Sequence, residues 1–245
     1  MKMNSKTLVS VLLVANIFLP NVILAQNGSN FCSRLSEFRT KVDQGIADRE
    51  EKLNEKRNQI LNRLEDRWDK RDNQLAEKRA KWDGNRDEHY AKLLERAKTE
   101  EQEQAVEKFK ATIESAVVTR RTAVDAALVA FRQGLEQALT SRRTSVNGII
   151  DIFKNSVASA FQKTEENCGS NIEKAPIVKD LRASLKAARE KFNADRQEIE
   201  KLGPVMSNLV ITRNQAIQKA FQDFRTVVEE ARKELKIAFP ENTTE

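Results

Sequence analysis

The sequence predicts an all-α fold, and three observations carry that expectation. Phe109 to Thr164 repeats itself every 22 residues, Pro and Gly are scarce at 4 and 7 in 245, and no strand-like alternation of valine and isoleucine occurs beyond the N-terminus. In register the repeat reads Phe109, Phe131, Phe153, then Ile113, Leu135, Val157, then Ala116, Ala138, Ala160, then Val117, Leu139, Phe161. Val124, Val146, Leu128 and Ile150 fill the half-steps. Eleven residues take three helical turns at about 3.67 per turn, so these positions form a nearly straight apolar stripe that must face another helix.

At the N-terminus, Lys2 and Lys6 precede an apolar run from Leu8 to Leu19, Pro20 breaks it, and Val22-Ile23-Leu24-Ala25 ends in a small residue. This is the charged, apolar and cleavable plan of a secretory signal peptide over residues 1–25. The rival reading is an uncleaved anchor, for which the run is short against the ~20 residues of a spanning helix. The expected address is therefore secreted, periplasmic or cell-surface. Removing residues 1–25 takes away two lysines and no acid, so the formal charge falls from +6 to +4. Residues 37–103 carry 17 Lys or Arg against 18 Asp or Glu, interleaved rather than blocked. Such balance reads as solvated helix with i to i+4 pairs and argues against a nucleic-acid stripe.

Two cysteines in an exported chain are most simply one disulfide, Cys32 to Cys168. Each ends a helical tract, and Cys168 is followed by the helix-stopping Gly169-Ser170-Asn171. If they bond, the chain between them folds back on itself, with a tip near the polar segment Lys98 to Glu103. The expectation is a long antiparallel helical hairpin over 26–168, coiled-coil-like and built on 11-residue repeats, with facing residue numbers adding to about 200. Trp68 then lies opposite Phe131, and Trp82 near Val117 and Arg120. The seam aromatics are Trp68, Trp82, Phe109, Phe131 and Phe153. A tip at Asp83-Gly84-Asn85, a better turn signature, is the alternative.

After Gly169, Pro176 restarts a helix that runs to about Lys201, and Gly203-Pro204 interrupts it. A last helix follows to about Ala238, and 240–245 should fray. Two shorter helices over 169–239 are expected to pack at the stapled base of the hairpin, a continuous kinked third helix being the alternative.

Catalytic chemistry is scarce. The one histidine, His89, lies at heptad spacing with Leu61, Trp68, Leu75 and Trp82, which suits a seam or solvated side chain. No Gly-rich phosphate loop, zinc spacing or nucleophile motif occurs, so no catalytic residue, metal or cofactor is expected. Arg120 and Arg142 fall in the row of Phe109, Phe131 and Phe153, with Arg121 and Arg143 beside them. Their functional reading is a ladder for an anion or partner. Their structural reading has the stems covering the seam while the heads reach acids on the facing arm or stack on Trp82. The structural reading is favoured. Arg79, Lys78 and Lys81 read as ordinary solvated charges.

The 22-residue period resembles that of exchangeable apolipoproteins over Phe109 to Thr164, without the proline that punctuates those repeats. The helical arms also resemble Skp-like periplasmic holdase chaperones, whose small β body has no counterpart here. A fuller resemblance rests on Asn30-Phe31-Cys32 with Arg34-Leu35, Trp82-Asp83-Gly84-Asn85-Arg86-Asp87-Glu88-His89, Phe131-Arg132-Gln133-Gly134 and the tract Leu181 to Arg189. In these the chain is similar to uncharacterised exported helical proteins of candidate-phyla bacteria. That resemblance implies an exported helical fold and carries no activity. The functional expectation is an exported non-catalytic structural or binding protein of the cell surface or envelope. The alternatives are an amphipathic lipid or envelope-surface binder and a periplasmic-type holdase chaperone. The partner is unspecified, nucleic acid is disfavoured, and a membrane surface or a second copy stays open. The sequons at Asn27 and Asn242 matter only in a eukaryote.

Overall fold

The computed structural model describes residues 30–170 and 173–239. The expected signal segment 1–25, the tail 240–245, Asn171 and both sequons lie outside them. A short 3-10 turn, Cys32–Arg34, leads into α1 (Leu35–Arg96), followed by α2 (Glu100–Cys168), α3 (Lys174–Glu198) and α4 (Leu202–Ala238). Among the described residues there is no strand.

The chain divides into two compact units, both built from parts of α1 and α2. Among the described residues, unit 1 comprises 30–64 with 139–170 and 173–203, and unit 2 comprises Glu65–Ala138 with 204–239.

Unit 1 is a three-helix packing. Leu35, Val42 and Ile46 of α1 meet Val146, Ile150, Phe153, Val157 and Phe161 of α2. Leu181, Leu185, Ala188 and Phe192 of α3 complete this core at steps of three or four, as one face of a helix requires. Phe153 packs on Phe192 and Phe38 on Phe161, each with ring centroids 5.4 Å apart. The sulfurs of Cys32 and Cys168 lie at disulfide distance, 2.01 Å. Cross-helix pairs fix the direction of α1 against α2: Arg39 donates to Glu165, Lys154 to Glu50 and Arg57 to Asn147. Each pair of residue numbers adds to 204, so the two segments run antiparallel.

Unit 2 is also three helices, the third being α4. Tyr90 of α1, Phe109, Ile113 and Val117 of α2, and Ala231 of α4 share its buried cluster. Lys108 pairs with Glu234, and Gln102 Nε2 donates to the Ala238 carbonyl. A Cβ on Gly134 would come within 2.5 Å of Leu209, so the missing side chain lets α4 approach α2 closely there.

Several expectations require correction. α4 packs in unit 2 instead of joining α3 in unit 1: its Phe224, Val228, Ala231 and Leu235 meet Phe109, Ile113 and Val117 of α2. The break before α4 falls at 199–201, ahead of Gly203-Pro204, which sit inside the first turn of α4. A proline there needs no amide partner, so it starts the helix instead of interrupting one. Likewise α3 begins at Lys174, two residues before Pro176. The connection between α1 and α2 is Ala97–Thr99, beside the expected position near residue 100, whereas the alternative turn Asp83-Gly84-Asn85 is continuous helix within α1. Thr99 Oγ1 accepts from the Gln102 amide at 3.3 Å, while Gln102 Oε1 accepts from the Lys98 amide at 2.8 Å. This reciprocal cap starts α2 without Gly or Pro, and Glu100, Glu101 and Glu103 add acidic charge where the helix dipole favours it.

Candidate functional site

The arginine rows are the site that the sequence singles out, and the fold assigns them individual partners. Arg121 forks onto Asp83, with Nη1 at 3.0 Å from Oδ2 and Nη2 at 2.5 Å from Oδ1, and Arg86 of the same turn also donates to Asp83. These contacts, the Arg121 bond foremost, hold the Asp83 carboxyl down at about 2. Arg120 is turned to the other side. Its guanidinium carbon lies 3.9 Å from the ring centre of Phe224 and 5.2 Å from that of Phe221, both on α4. Burial, then the nearby Arg121, Arg86 and Arg79, pushes the Arg120 pKa below its ordinary value. That is the cost of placing a cation in an aromatic seam, offset in part by the rings' negative faces.

Arg142, in unit 1, donates to the Glu200 carbonyl in the 199–201 connection. It thereby satisfies a backbone acceptor where α3 has ended. Arg143 is exposed, and its charge lowers the pKa of Arg57, after burial, which is the larger cause. The four arginines therefore do not converge on one place.

Sequence reasoning missed two further arginines in unit 2. Arg79 forks onto Asp125 at 2.9 and 2.7 Å, and Arg132 onto Asp72 at 2.7 and 2.5 Å. Arg79, read as a solvated charge, is thus a cross-helix clamp whose pKa the Asp125 bond raises. Asp72 and Asp83 are eleven apart on α1, as Arg121 and Arg132 are on α2, and all three cross-helix pairs again add to 204. The charges thus follow the eleven-residue period of the apolar stripe, and that coincidence was the available signal. A groove of about 550 Å³ lies along this ladder, lined also by Ala76, Ala80, Leu128 and, at its edge, the exposed Val129.

The aromatics divide. Phe109, Phe131 and Phe153 are buried. Trp68 is half-buried under Arg132, 5.4 Å from the guanidinium carbon to the ring centre. Trp82, expected in the seam near Val117 and Arg120, is instead 49% exposed. The pairing number is 204 instead of about 200, a slip of about one helical turn, and Arg120 stacks on Phe224 of α4. His89 is exposed, and the adjacent Tyr90 enters the core in its place. The Tyr90 hydroxyl has no hydrogen-bond partner among the described residues, and burial raises its pKa. Phe131 carries a stacked cation as well, Arg213 of α4, at 4.7 Å, whose pKa burial and then Arg71 lower.

Among the described residues no group of three or more His, Cys, Asp or Glu side chains could hold a metal ion, and no helix is long and apolar enough to cross a membrane. Comparison with known proteins returns no match: no family model, no curated protein and no solved structure is significantly similar to this chain.

Proposed function

We propose that the chain is an exported, non-catalytic structural or binding protein of the cell surface or envelope. In this reading α1 and α2 form a stapled antiparallel hairpin on eleven-residue repeats, and the protein acts by presenting stiff helical surfaces to a partner. The observation that carries the reading is where the arginine side chains go. Arg120, Arg121 and Arg142 reach Phe224, Asp83 and the Glu200 carbonyl, so their heads serve helix packing and are not gathered around an anion. The common pairing number of 204 in both units supports the hairpin. The pairing of Cys32 with Cys168 supports passage through an oxidising compartment. The resemblance to exported helical proteins of candidate-phyla bacteria supports the same address.

Two measurements test the proposal together. Non-reducing peptide mapping of the protein recovered from its native cell should yield a Cys32–Cys168 cross-linked peptide within one chain, with the N-terminus at Gln26. Free thiols, or a bond between chains, would overturn the stapled hairpin. Flotation with anionic vesicles should leave the protein in the dense fraction with unchanged helicity. Co-flotation with gained helix would establish the lipid-binding alternative instead, and suppression of client aggregation at near-stoichiometric amounts would establish the chaperone alternative.

A further inference from the structure

We infer that the outward face of α2 in unit 2 is a docking surface for the same face of a second copy of this chain, paired antiparallel about a two-fold axis near Ala123. The face runs through Ala111, Ser115, Val118, Thr122, Ala126 and Val129 at steps of four, three and four, the hendecad spacing that keeps positions in line on a straight helix. All six are exposed, Val118 at 62% and Val129 at 49%, and none is charged. In a chain with 33% charged residues such a face is unusual for solvated helix. The outward face of α1 in the same unit, stepped in the same way, reads Asp66, Lys70, Asn73, Glu77, Lys81 and is the ordinary solvated kind.

The order of charges along one flank of this face identifies the occupant as a second copy. The flank reads Lys110, Glu114, Arg121, Asp125, Arg132, Glu136. In an antiparallel pair each flank meets its own counterpart, and about a centre at Ala123 Lys110 meets Glu136, Glu114 meets Arg132 and Arg121 meets Asp125. Every contact is between opposite signs, and each occurs twice by symmetry. A parallel pairing would instead set this flank against the opposite one, Lys108, Thr112, Thr119, Ala123 and Ala130, whose one charge is already paired with Glu234 of α4. In the antiparallel register Val118 falls beside Val129 and Thr122 beside Ala126, so the apolar side chains also oppose one another. Arg121, Asp125 and Arg132 are already bonded to α1, which fixes their heads at the edge of the face. Lys110 leans on the Tyr90 ring at 5.9 Å, while Glu114 and Glu136 are exposed. The Lys110–Glu136 contact therefore brings the most new pairing.

About a two-fold at Ala123 the shared stretch of the face runs from about residue 117 to Val129, about 18 Å at ~1.5 Å per residue and about 10 Å wide, giving on the order of 200 Å² per copy. That lies well below the standard specific interface, so the pairing is a weak, reversible one, expected only toward the upper end of the concentration range tested below. The interface needs neither export nor a lipid partner, and so stands or falls apart from the functional proposal.

Sedimentation velocity of the purified chain between about 2 and 200 μM, at low salt, is the test. We expect a monomer–dimer equilibrium. Val118→Glu and Val129→Glu, both on exposed positions, should weaken it at least tenfold with unchanged circular dichroism. Lys110→Glu should weaken it as well, and Lys110→Glu combined with Glu136→Lys should restore it, because the swap recreates both opposite-sign contacts. A monomer at every concentration, a dimer indifferent to the Val118 and Val129 changes, or a double reversal without rescue would overturn the inference.

Discussion

Unit 1 holds α1 and α2 together with a filled apolar seam, in which Phe153, Phe161 and Leu181 are almost wholly buried and a disulfide lies at one end. In unit 2 the α1 side of the seam contributes Tyr90 as its one buried residue among those described, and the joining is done by Arg79–Asp125, Arg121–Asp83 and Arg132–Asp72 with stacked cations over Phe131 and Phe224. Both units sit on the same two helices. The difference arises because α1 between Glu65 and Arg96 is too charged to offer an apolar face of its own, so planar guanidinium groups supply area, charge and hydrogen bonds at once. Packing of the first kind depends on pH and salt mainly through the Arg39–Glu165 and Lys154–Glu50 pairs at its edge. Packing of the second kind depends on them through the pairs that do the joining.

The largest expected effect breaks unit 1. Replacing both Cys32 and Cys168 by Ser opens a loop of 136 residues and should cost ~4 to 5 kcal/mol on the chain-entropy account. Urea unfolding reads the total, and amide exchange should quicken over Leu181 to Phe192 while Tyr90 to Val117 changes little.

Next comes the core contrast. Phe153→Ala in unit 1 should cost ~3 to 5 kcal/mol. Phe109→Ala in unit 2, where the ring is slightly more exposed, should fall at the lower end. Equal losses would mean that the two seams carry comparable apolar weight.

The third prediction concerns acid. The Asp83 carboxyl titrates at about 2 in the fold, against ~3.9 in an unfolded chain. A depressed carboxylate stabilises the fold above the unfolded value and loses that contribution as pH falls from about 4 through 2. Asp72, also lowered by its bond to Arg132, acts in the same direction. Unfolding followed by probes in unit 2 should therefore weaken in this window, and Asp83→Asn should flatten the dependence. A slope unchanged in that variant would mean that the ladder does not set the acid response.

The smallest effect sharpens the picture of unit 2. Tyr90→Phe removes a buried hydroxyl that has no partner among the described residues and should stabilise by about 1 kcal/mol, read as a raised thermal midpoint.

Much of this was legible in the chain itself. The helical class, the buried Phe109, Phe131 and Phe153, and the pairing of Cys32 with Cys168 follow from period, composition and cysteine placement, because a helix repeats its environment at fixed steps. The capping pair Thr99 and Gln102 was also present as a signal, in a segment without the Gly or Pro that usually marks a turn. Tertiary structure alone decided the rest. A stripe with an apolar residue on nearly every turn fits its neighbour almost equally well one turn along, so periodicity could not choose between pairing numbers of 200 and 204. The ion pairs Asp72–Arg132 and Asp83–Arg121 select one of them. For the same reason the repeat could not say which part of α2 would receive α4, or whether Arg120 would reach Trp82 or Phe224. The sequence determined which faces must be buried; the choice among equivalent neighbours depended on charges and ring positions that meet only once the helices are side by side.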